Sequence, residues 1–567
     1  MRVKIQGDGD GVVGKAAAIT RRVVAERTAP MGGRDHEENG QPWTVSLEVD
    51  KRLPAEGFKI EELSGNHVRV VGGDGAGVLH GCGKLLRLAE LGPERVVFHG
   101  APELSAPVKP DRGMYFAVHN YNTYQVAPAD FIVRYIEDLA LWGINDICVY
   151  FHKFYFGGLA DPKAAEYLER LNLILRTAKS LGMKATLLVT ANDGYANVPE
   201  ELLYQGKTPR NWGREVCASK PGGLALLRRE FAEILDALEP VDQVVSWPYD
   251  SGGCDCGQCA PWGMKGFLKL SKELCAEFRR RSPGGKFYFG TWYFDYNCGD
   301  VGEWDALFAA LESGGLDWAD GILADGAMVN GFFPQQVVER CVGKPVISFM
   351  EISMVTGRPW GGFGSNAVPK FIQKEWDRSK EHVIGGIPYS EGIFEDINKF
   401  LWAQLCWSPE RPAMDILEEY AAAEFSKEHA QAIAAAIASM EPSRMHHSAE
   451  LTNDFSGSAK AWETISRLDR RLGWNERNSW RWRHVLLRAQ IDAELAKSGG
   501  EPTDELGRAY DELFRIYQLQ ARSFSNVRPA EVVAGPRGLE FLTRGKSLRD
   551  FPCYLRAIHD DTPKKEA

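Results

Sequence analysis

The central part of the chain repeats one unit, a short apolar strand followed by a polar loop and an amphipathic helix, from residue 113 to about residue 405. Eight strands that alternate with helices are typical of a (β/α)8 TIM barrel, so the predicted fold class is α/β. An open doubly wound sheet is the alternative, but no glycine-rich nucleotide-binding turn follows the first strand. The predicted strands span residues 114–119, 146–151, 184–190, 243–247, 286–292, 321–323, 345–350 and 383–388.

Two further regions flank this repeat. Residues 1–107 mix short strands with two helices, which predicts a small N-terminal α/β domain. Residues 108–408 are then the barrel domain, and residues 409–567, where strand patterns vanish, form a C-terminal all-helical domain. Residues 101–112 contain three prolines and little apolar periodicity, so we expect them to form a linker.

Charge and hydropathy exclude several classes of partner. A formal net charge of −10 argues against nucleic acid and against an anionic membrane surface. No stretch approaches the roughly 18–20 apolar residues of a membrane helix. The N-terminus lacks the apolar segment of a signal peptide, and the scattered cysteines suit reduced thiols, so we expect a cytoplasmic protein. A secreted form with its signal removed stays open, as does a homo-oligomer.

Acidic residues follow six successive predicted strands, at the end of a barrel where active sites are built. Helix capping would explain some of them, notably Asp193, Asp295 or Glu391, but capping alone does not predict six in succession. Aromatic, histidine and asparagine side chains stand among them. The candidate catalytic residues are Asp250, Asp325, Glu351 and Glu391, and the candidate substrate-binding residues are His119, His152, Asn192, Tyr249, Trp292, Trp360 and Tyr389.

Paired carboxylates beside aromatic rings suit the hydrolysis of a glycoside. One acid must be protonated to release the leaving sugar oxygen, and a second carboxylate must activate water or attack the anomeric carbon. Crowding the acids in one pocket raises the pKa of some of them, which supplies the protonated partner. The expected ligand is therefore an oligosaccharide or glycoside, and the chemistry needs no cofactor.

The layout of a small α/β domain, a barrel and a helical tail resembles the α-glucuronidase family of glycoside hydrolases. It is similar in part to the β-hexosaminidase and α-N-acetylglucosaminidase families. The strand–strand–helix segment at residues 57–88 resembles the hexosaminidase-like first domain of that superfamily. The motifs Tyr-Asp-x-Gly-Gly-Cys at residues 249–254 and Tyr-Ser-Glu-Gly at residues 389–392 resemble those of uncharacterised relatives.

This resemblance implies an exo-acting, inverting hydrolase of a terminal sugar such as a uronic acid. Asp250 matches the position of the family's acid, and Asp325 with Glu351 matches its pair of bases, while Glu391 is the reserve for either role. The family's acid is a glutamate, and Asp250 is one methylene shorter. Ser251 stands where β-hexosaminidases continue with glutamate, so their substrate-assisted mechanism is not supported.

Two alternatives to a hydrolase remain at this point. One is a carbohydrate-binding barrel protein that has lost the chemistry. The other is a sugar lyase or epimerase that uses the same pocket, with His119 or His152 as the base.

Three cysteines follow the fourth predicted strand within six residues, and a fourth precedes the helix before it. Four thiolates would form a closed tetrahedral site with no position left for water, so the spacing predicts a structural zinc. Free or redox-active thiols are the alternative. The candidate metal ligands are Cys217, Cys254, Cys256 and Cys259.

Overall fold

The N-terminal part of the molecule is a mixed sheet with two helices. The computed structural model describes residues 3–7, 10–29, 42–63, 65–92, 95–118, 122–204, 214–249, 252–295, 302–324, 333–340, 342–352, 365–444, 454–499 and 503–517. The first five-stranded sheet has the order β1-β2-β4-β3-β7, in which β3 runs antiparallel to both neighbours. In chain order the elements are β1 (Val3–Gln6), α1 (Val12–Thr28), β2 (Trp43–Val49), β3 (Phe58–Glu62), β4 (His67–Gly72), α2 (Gly75–Leu88), β5 (Glu90–Leu91), β6 (Val96–Val97) and β7 (Ala101–Ser105).

The prediction of a linker over residues 101–112 is wrong at both ends. Ala101–Ser105 pairs with β3 as the edge strand of the N-terminal sheet, and the first barrel strand already begins at Asp111. Pro102 lacks an amide N–H, which an edge strand tolerates because one side of it needs no partner. The connection between the two sheets is therefore short.

The central part is a closed barrel of eight parallel strands, which confirms the predicted fold class. Each strand pairs with its sequence neighbour, and β15 returns to pair with β8. Most of these strands are buried along their whole length, which is why they read as continuous apolar runs. The strands are β8 (Asp111–Phe116), β9 (Asp146–Tyr150), β10 (Lys184–Thr190), β11 (Gln243–Trp247), β12 (Lys286–Gly290), β13 (Gly321–Ala324), β14 (Val346–Ser348) and β15 (Gly385–Gly386), with β16 (Tyr389–Ser390) continuing the last one beside β8.

Two glycines permit the closure of the barrel at β15. A Cβ at Gly386 would lie 2.1 Å from the carbonyl oxygen of Ser348, and one at Gly385 would clash with the backbone of Asp111. Only residues without a side chain allow this approach. The helices that connect the barrel strands are α3 (Thr123–Val126), α4 (Ala129–Leu141), α5 (Pro162–Ser180), α6 (Gly223–Ala237), α7 (Lys269–Arg281), α8 (Glu303–Glu312), α9 (Gln335–Glu339), α10 (Pro369–Ser379) and α11 (Asp396–Trp407).

The N-terminal part docks on the amino-terminal end of the barrel strands. Arg112, near the start of β8, is fully buried and pairs with Glu56. The amide of Asn145, which precedes β9, donates to the same carboxylate at 3.0 Å. This contact lies at the end of the barrel opposite the strand ends that carry the candidate site.

The C-terminal helices pack against the last barrel helix and the loop before it. Arg481 donates to Asp396 at 2.9 Å and to Asp138 at 3.0 Å. The ring of His484 lies 5.3 Å from that of Phe394. Within the described part of the chain, no helix is long and apolar enough to span a bilayer. These helices are α12 (Ala413–Glu424), α13 (Ala430–Ser439), α14 (Ser458–Asp469), α15 (Trp474–Asn478), α16 (Trp480–Ser498) and α17 (Asp504–Tyr517).

Candidate active site

A layer of aromatic rings crosses the barrel interior near the carboxyl ends of the strands. The rings of Trp247 and Phe349 are 4.7 Å apart, although two strands separate β11 from β14, so the contact crosses the interior. Trp292 stacks on Trp247 at 5.5 Å. Tyr389 lies 5.8 Å from Phe349 and stacks on Tyr115 at 5.4 Å. The sequence-predicted Trp292 and Tyr389 therefore belong to one layer, which forms the floor of the barrel mouth.

Two of the predicted catalytic acids flank Tyr389 in different ways. The Tyr389 hydroxyl donates to the Glu391 carboxylate, whereas the backbone of Glu351 forms an isolated parallel β-bridge with the backbone of Tyr389. Glu351 is 3% exposed and Glu391 is 2% exposed, so both residues are withdrawn from water. Burial raises the pKa of Tyr389 well above its usual value, and the charges of Glu391 and Glu351 add to that shift. Both acids therefore lie within electrostatic range of the Tyr389 hydroxyl.

The turn that carries Glu391 is held by a further glutamate. The Glu395 carboxylate accepts hydrogen bonds from the Ser390 hydroxyl at 2.6 Å, the Glu391 amide at 2.6 Å and the Gly392 amide at 2.8 Å. Gly392 has a φ of 149°, which favours glycine. The Tyr-Ser-Glu-Gly motif therefore forms a rigid mount for Glu391, and Glu395, which sequence reasoning missed, is its anchor.

A third buried acid lies at the end of β10. Asp193 accepts a hydrogen bond from the Tyr150 hydroxyl at 3.0 Å. Burial raises the pKa of Asp193 to about 7. The first helical turn after Asp193 is a 3-10 turn at Glu200–Leu202 whose N-cap is Pro199, so Asp193 does not cap it. His152 is buried nearby, with its ring 5.1 Å from that of Tyr150.

Asn192 and Tyr249, both predicted to bind substrate, make contacts within the protein. The Asn192 amide donates to the carbonyls of Val216 at 3.2 Å and Gly253 at 2.9 Å, and it accepts from the Gly253 amide at 3.1 Å. The Tyr249 hydroxyl donates to Glu303 at 2.7 Å. These bonds hold the loops after β10 and β11, and contact of either residue with a sugar stays a prediction.

Glu303 joins three segments around the end of β11. Its carboxylate accepts from the Gly263 amide at 2.5 Å and the Asp295 amide at 3.0 Å, in addition to the Tyr249 hydroxyl. Asp295 in return accepts from the Glu303 amide at 2.6 Å, which satisfies a donor at the start of α8. The capping alternative therefore holds for Asp295. Burial raises the pKa of Glu303 to about 7.

The four predicted cysteines converge beside this cluster. The sulfur atoms of Cys217, Cys254, Cys256 and Cys259 all lie within 4.8 Å of one another. The remaining predicted site residues, His119, Asp250, Asp325 and Trp360, lie outside the described residues, so their roles stay predictions.

The comparisons with known proteins show the fold. No family model and no curated protein sequence matches the chain. The structure is similar to that of a GH138 enzyme targeting pectin rhamnogalacturonan II, at 11% identity and a TM-score of 0.55, over 92% of this chain and 75% of that chain. It is similar to a GH115 4-O-methyl-α-glucuronidase with specificity for decorated arabinogalactans, at 11% identity and a TM-score of 0.56, over 98% and 79%. A family 89 glycoside hydrolase from Clostridium perfringens matches at 12% identity and a TM-score of 0.56, over 89% and 66%. The chain thus shares its architecture with several families of glycoside hydrolases.

Proposed function

We propose that the protein is an exo-acting glycoside hydrolase that removes a terminal sugar, with a uronic acid as the first candidate. The observation that carries this proposal is the placement of two buried acids beside Tyr389 in the aromatic layer: Glu391 accepts from its hydroxyl, and Glu351 pairs with its backbone. Solved structures of the same architecture are glycoside hydrolases of three families, which supports the same reaction class.

The carboxylates divide the work of acid and base. Asp250, which follows β11 in the sequence, is the proposed general acid that protonates the leaving oxygen. Asp325 and Glu351 share the proposed base role and activate water on the opposite face of the sugar, so the anomeric configuration inverts. Glu391 is the further carboxylate available for either role. Like charges in one buried pocket disfavour simultaneous ionisation, which favours retention of a proton among these groups.

The aromatic floor offers a surface to the apolar face of a sugar ring. Tyr389 is a partly exposed residue, and Phe349 links its ring to the stacked pair Trp247 and Trp292. The indole N–H of Trp292 is buried and has no hydrogen-bond acceptor among the described residues. A buried indole N–H normally has a partner. A sugar hydroxyl bound on this floor would supply one.

A hydrolysis screen tests the proposal. Purified wild-type protein would be incubated with aryl glycosides and oligosaccharides, uronides and N-acetylhexosaminides included, beside Asp250→Asn and Glu351→Gln. Each variant should lose roughly 10²–10⁴ in rate, whereas Glu166→Gln, an exposed acid on α5, should match wild type. NMR of the first-formed product should show the inverted anomer.

Two results would contradict the proposal. One is a folded wild-type protein that binds sugars and turns none of them over, which would indicate the non-catalytic barrel. The other is an unsaturated product that absorbs in the ultraviolet, which would indicate a lyase.

A further inference from the structure

We infer that Cys217, Cys254, Cys256 and Cys259 bind one structural zinc ion, a site separate from the proposed glycosidase chemistry. The Cys217 sulfur lies 3.7 Å from that of Cys256 and 4.0 Å from that of Cys259. A Zn–S bond of about 2.3 Å in a tetrahedron places sulfur atoms about 3.8 Å apart. These two spacings are close to this tetrahedral edge, and all four sulfur atoms lie within 4.8 Å of one another.

The cluster is built from two loops that the barrel brings together. Cys217 lies between β10 and α6, and its amide donates to the Leu202 carbonyl at 2.9 Å. The other three cysteines follow β11, and the Cys259 amide donates to the Cys256 carbonyl at 2.9 Å, which closes a tight turn around the sulfur atoms. Zinc knuckles need such a turn, because two ligands from one short segment must face the same ion.

The surroundings favour a closed metal site. Cys217, Cys254 and Cys259 are at most 1% exposed. The Ser219 hydroxyl lies 3.2 Å from the Cys259 sulfur, within reach for a hydrogen bond that supports a ligand from outside the coordination sphere. Four sulfur ligands leave no position for water or substrate, so the ion would be structural.

Its task is to join the loops after β10 and β11. Asn192 already bonds to Val216 and Gly253, which are the neighbours of Cys217 and Cys254 along the chain. A zinc ion at the four sulfurs would lock the same two loops a few residues further on.

Metal analysis of the full chain tests the inference. Protein purified without chelator should contain about one zinc per chain by mass spectrometry. Cys217→Ser and Cys259→Ser should lose most of it. Cys275→Ser is the matched control, because Cys275 is equally buried on α7 outside the cluster, and it should keep the metal.

A second measurement keeps the inference testable if the serine variants fail to fold. Wild-type protein stripped of metal and reloaded with cobalt(II) should show the visible absorption of a tetrahedral cobalt thiolate. The four cysteines should resist alkylation until a chelator is added. The inference would be overturned if wild-type protein contains no metal and its four cysteines alkylate freely or are found as disulfides. Neither measurement depends on glycosidase activity, so failure of the zinc inference can be told apart from failure of the proposed function.

Discussion

Two sides of the barrel mouth use buried carboxylates in different ways. On the cysteine side, formed by the loops after β10, β11 and β12, Glu303 accepts from two backbone amides and a tyrosine hydroxyl. On the carboxylate side, formed by the loops after β14 and β16, Glu391 accepts from the Tyr389 hydroxyl, and Glu351 pairs through its backbone with Tyr389. A carboxylate that satisfies backbone donors has a structural task. The proposed function assigns proton transfer to the acids of the other side.

The same contrast appears within four residues of one turn. Glu395 takes three donors from the backbone and side chain of its own turn, and that turn presents Glu391 to the mouth. Glu391 and Glu395 are thus only four residues apart in sequence but differ in the kind of partner. Measuring stability and turnover together separates the two tasks.

The largest expected effect on stability is at the anchor, Glu395. Glu395→Ala would leave the Ser390 hydroxyl and the Glu391 and Gly392 amides without their acceptor, at a cost of about 3 kcal/mol in stability. Turnover should fall with it. All three donors reach the same oxygen, so Glu395→Gln keeps an acceptor and should restore most of both. Thermal melts and kcat/KM measure these effects. An alanine variant as stable and active as wild type would show that Glu395 does not anchor the turn that carries Glu391.

A matched pair of tyrosines gives the next effect. Tyr249→Phe removes a hydrogen bond to the structural Glu303, so stability should fall by about 1 kcal/mol while kcat/KM changes little. Tyr389→Phe removes the hydrogen bond to Glu391, so kcat/KM should fall while stability changes less. Equal losses of turnover in the two variants would erase the distinction between the two sides.

The smallest effect concerns a buried acid below the mouth. Asp146 accepts hydrogen bonds from two side chains, the Thr186 hydroxyl at 2.8 Å and the Gln243 amide at 2.8 Å. Burial raises the pKa of Asp146 from 3.8 to about 7. Between these two pH values the folded state binds a proton that the unfolded state has released. Wild-type stability therefore falls as pH rises from about 3.8 through the folded pKa of about 7.

Asp146→Asn does not titrate, so the gap in stability between variant and wild type should shift in favour of the variant as pH rises. The expected shift is on the order of 1 kcal/mol between pH 6 and pH 8. Denaturant melts at several pH values measure it. A gap that stays constant, or that shifts in favour of wild type, would contradict a raised pKa at this site.

The sequence predicts the barrel because buried parallel strands are continuous apolar segments. All eight strands fall within a few residues of their predicted positions. The edge strand β7 was missed because its proline suggested a linker. Its partner β3 lies about 40 residues earlier in the chain, and no local pattern predicts that pairing. The last predicted strand divides into β15 and β16, since Gly385 and Gly386 let the backbone approach its neighbours more closely than a regular strand does.

The arrangement of these side chains was predictable only where a residue type carries the signal. Acids and aromatics at strand ends pointed to Glu351, Glu391, Trp292 and Tyr389, whose roles stay predictions, and the spacing of the cysteines pointed to their convergence. Glu303 and Glu395 were missed because each lies in or near the first turn of a helix, where glutamate is common. Their tasks arise from backbone amides that only the folded chain brings together.

The most direct test compares Glu351→Gln, at the proposed base, with Glu303→Gln on the substrate found in the screen. Glutamine at 351 should lower kcat/KM by roughly 10²–10⁴ in the folded protein. Glutamine at 303 should lower stability by about 2–3 kcal/mol, because its NH2 group would face a backbone donor, and the folded fraction should keep most of its turnover. If Glu351→Gln instead turns over substrate at the wild-type rate, the carboxylate side of the mouth does not supply the catalytic base.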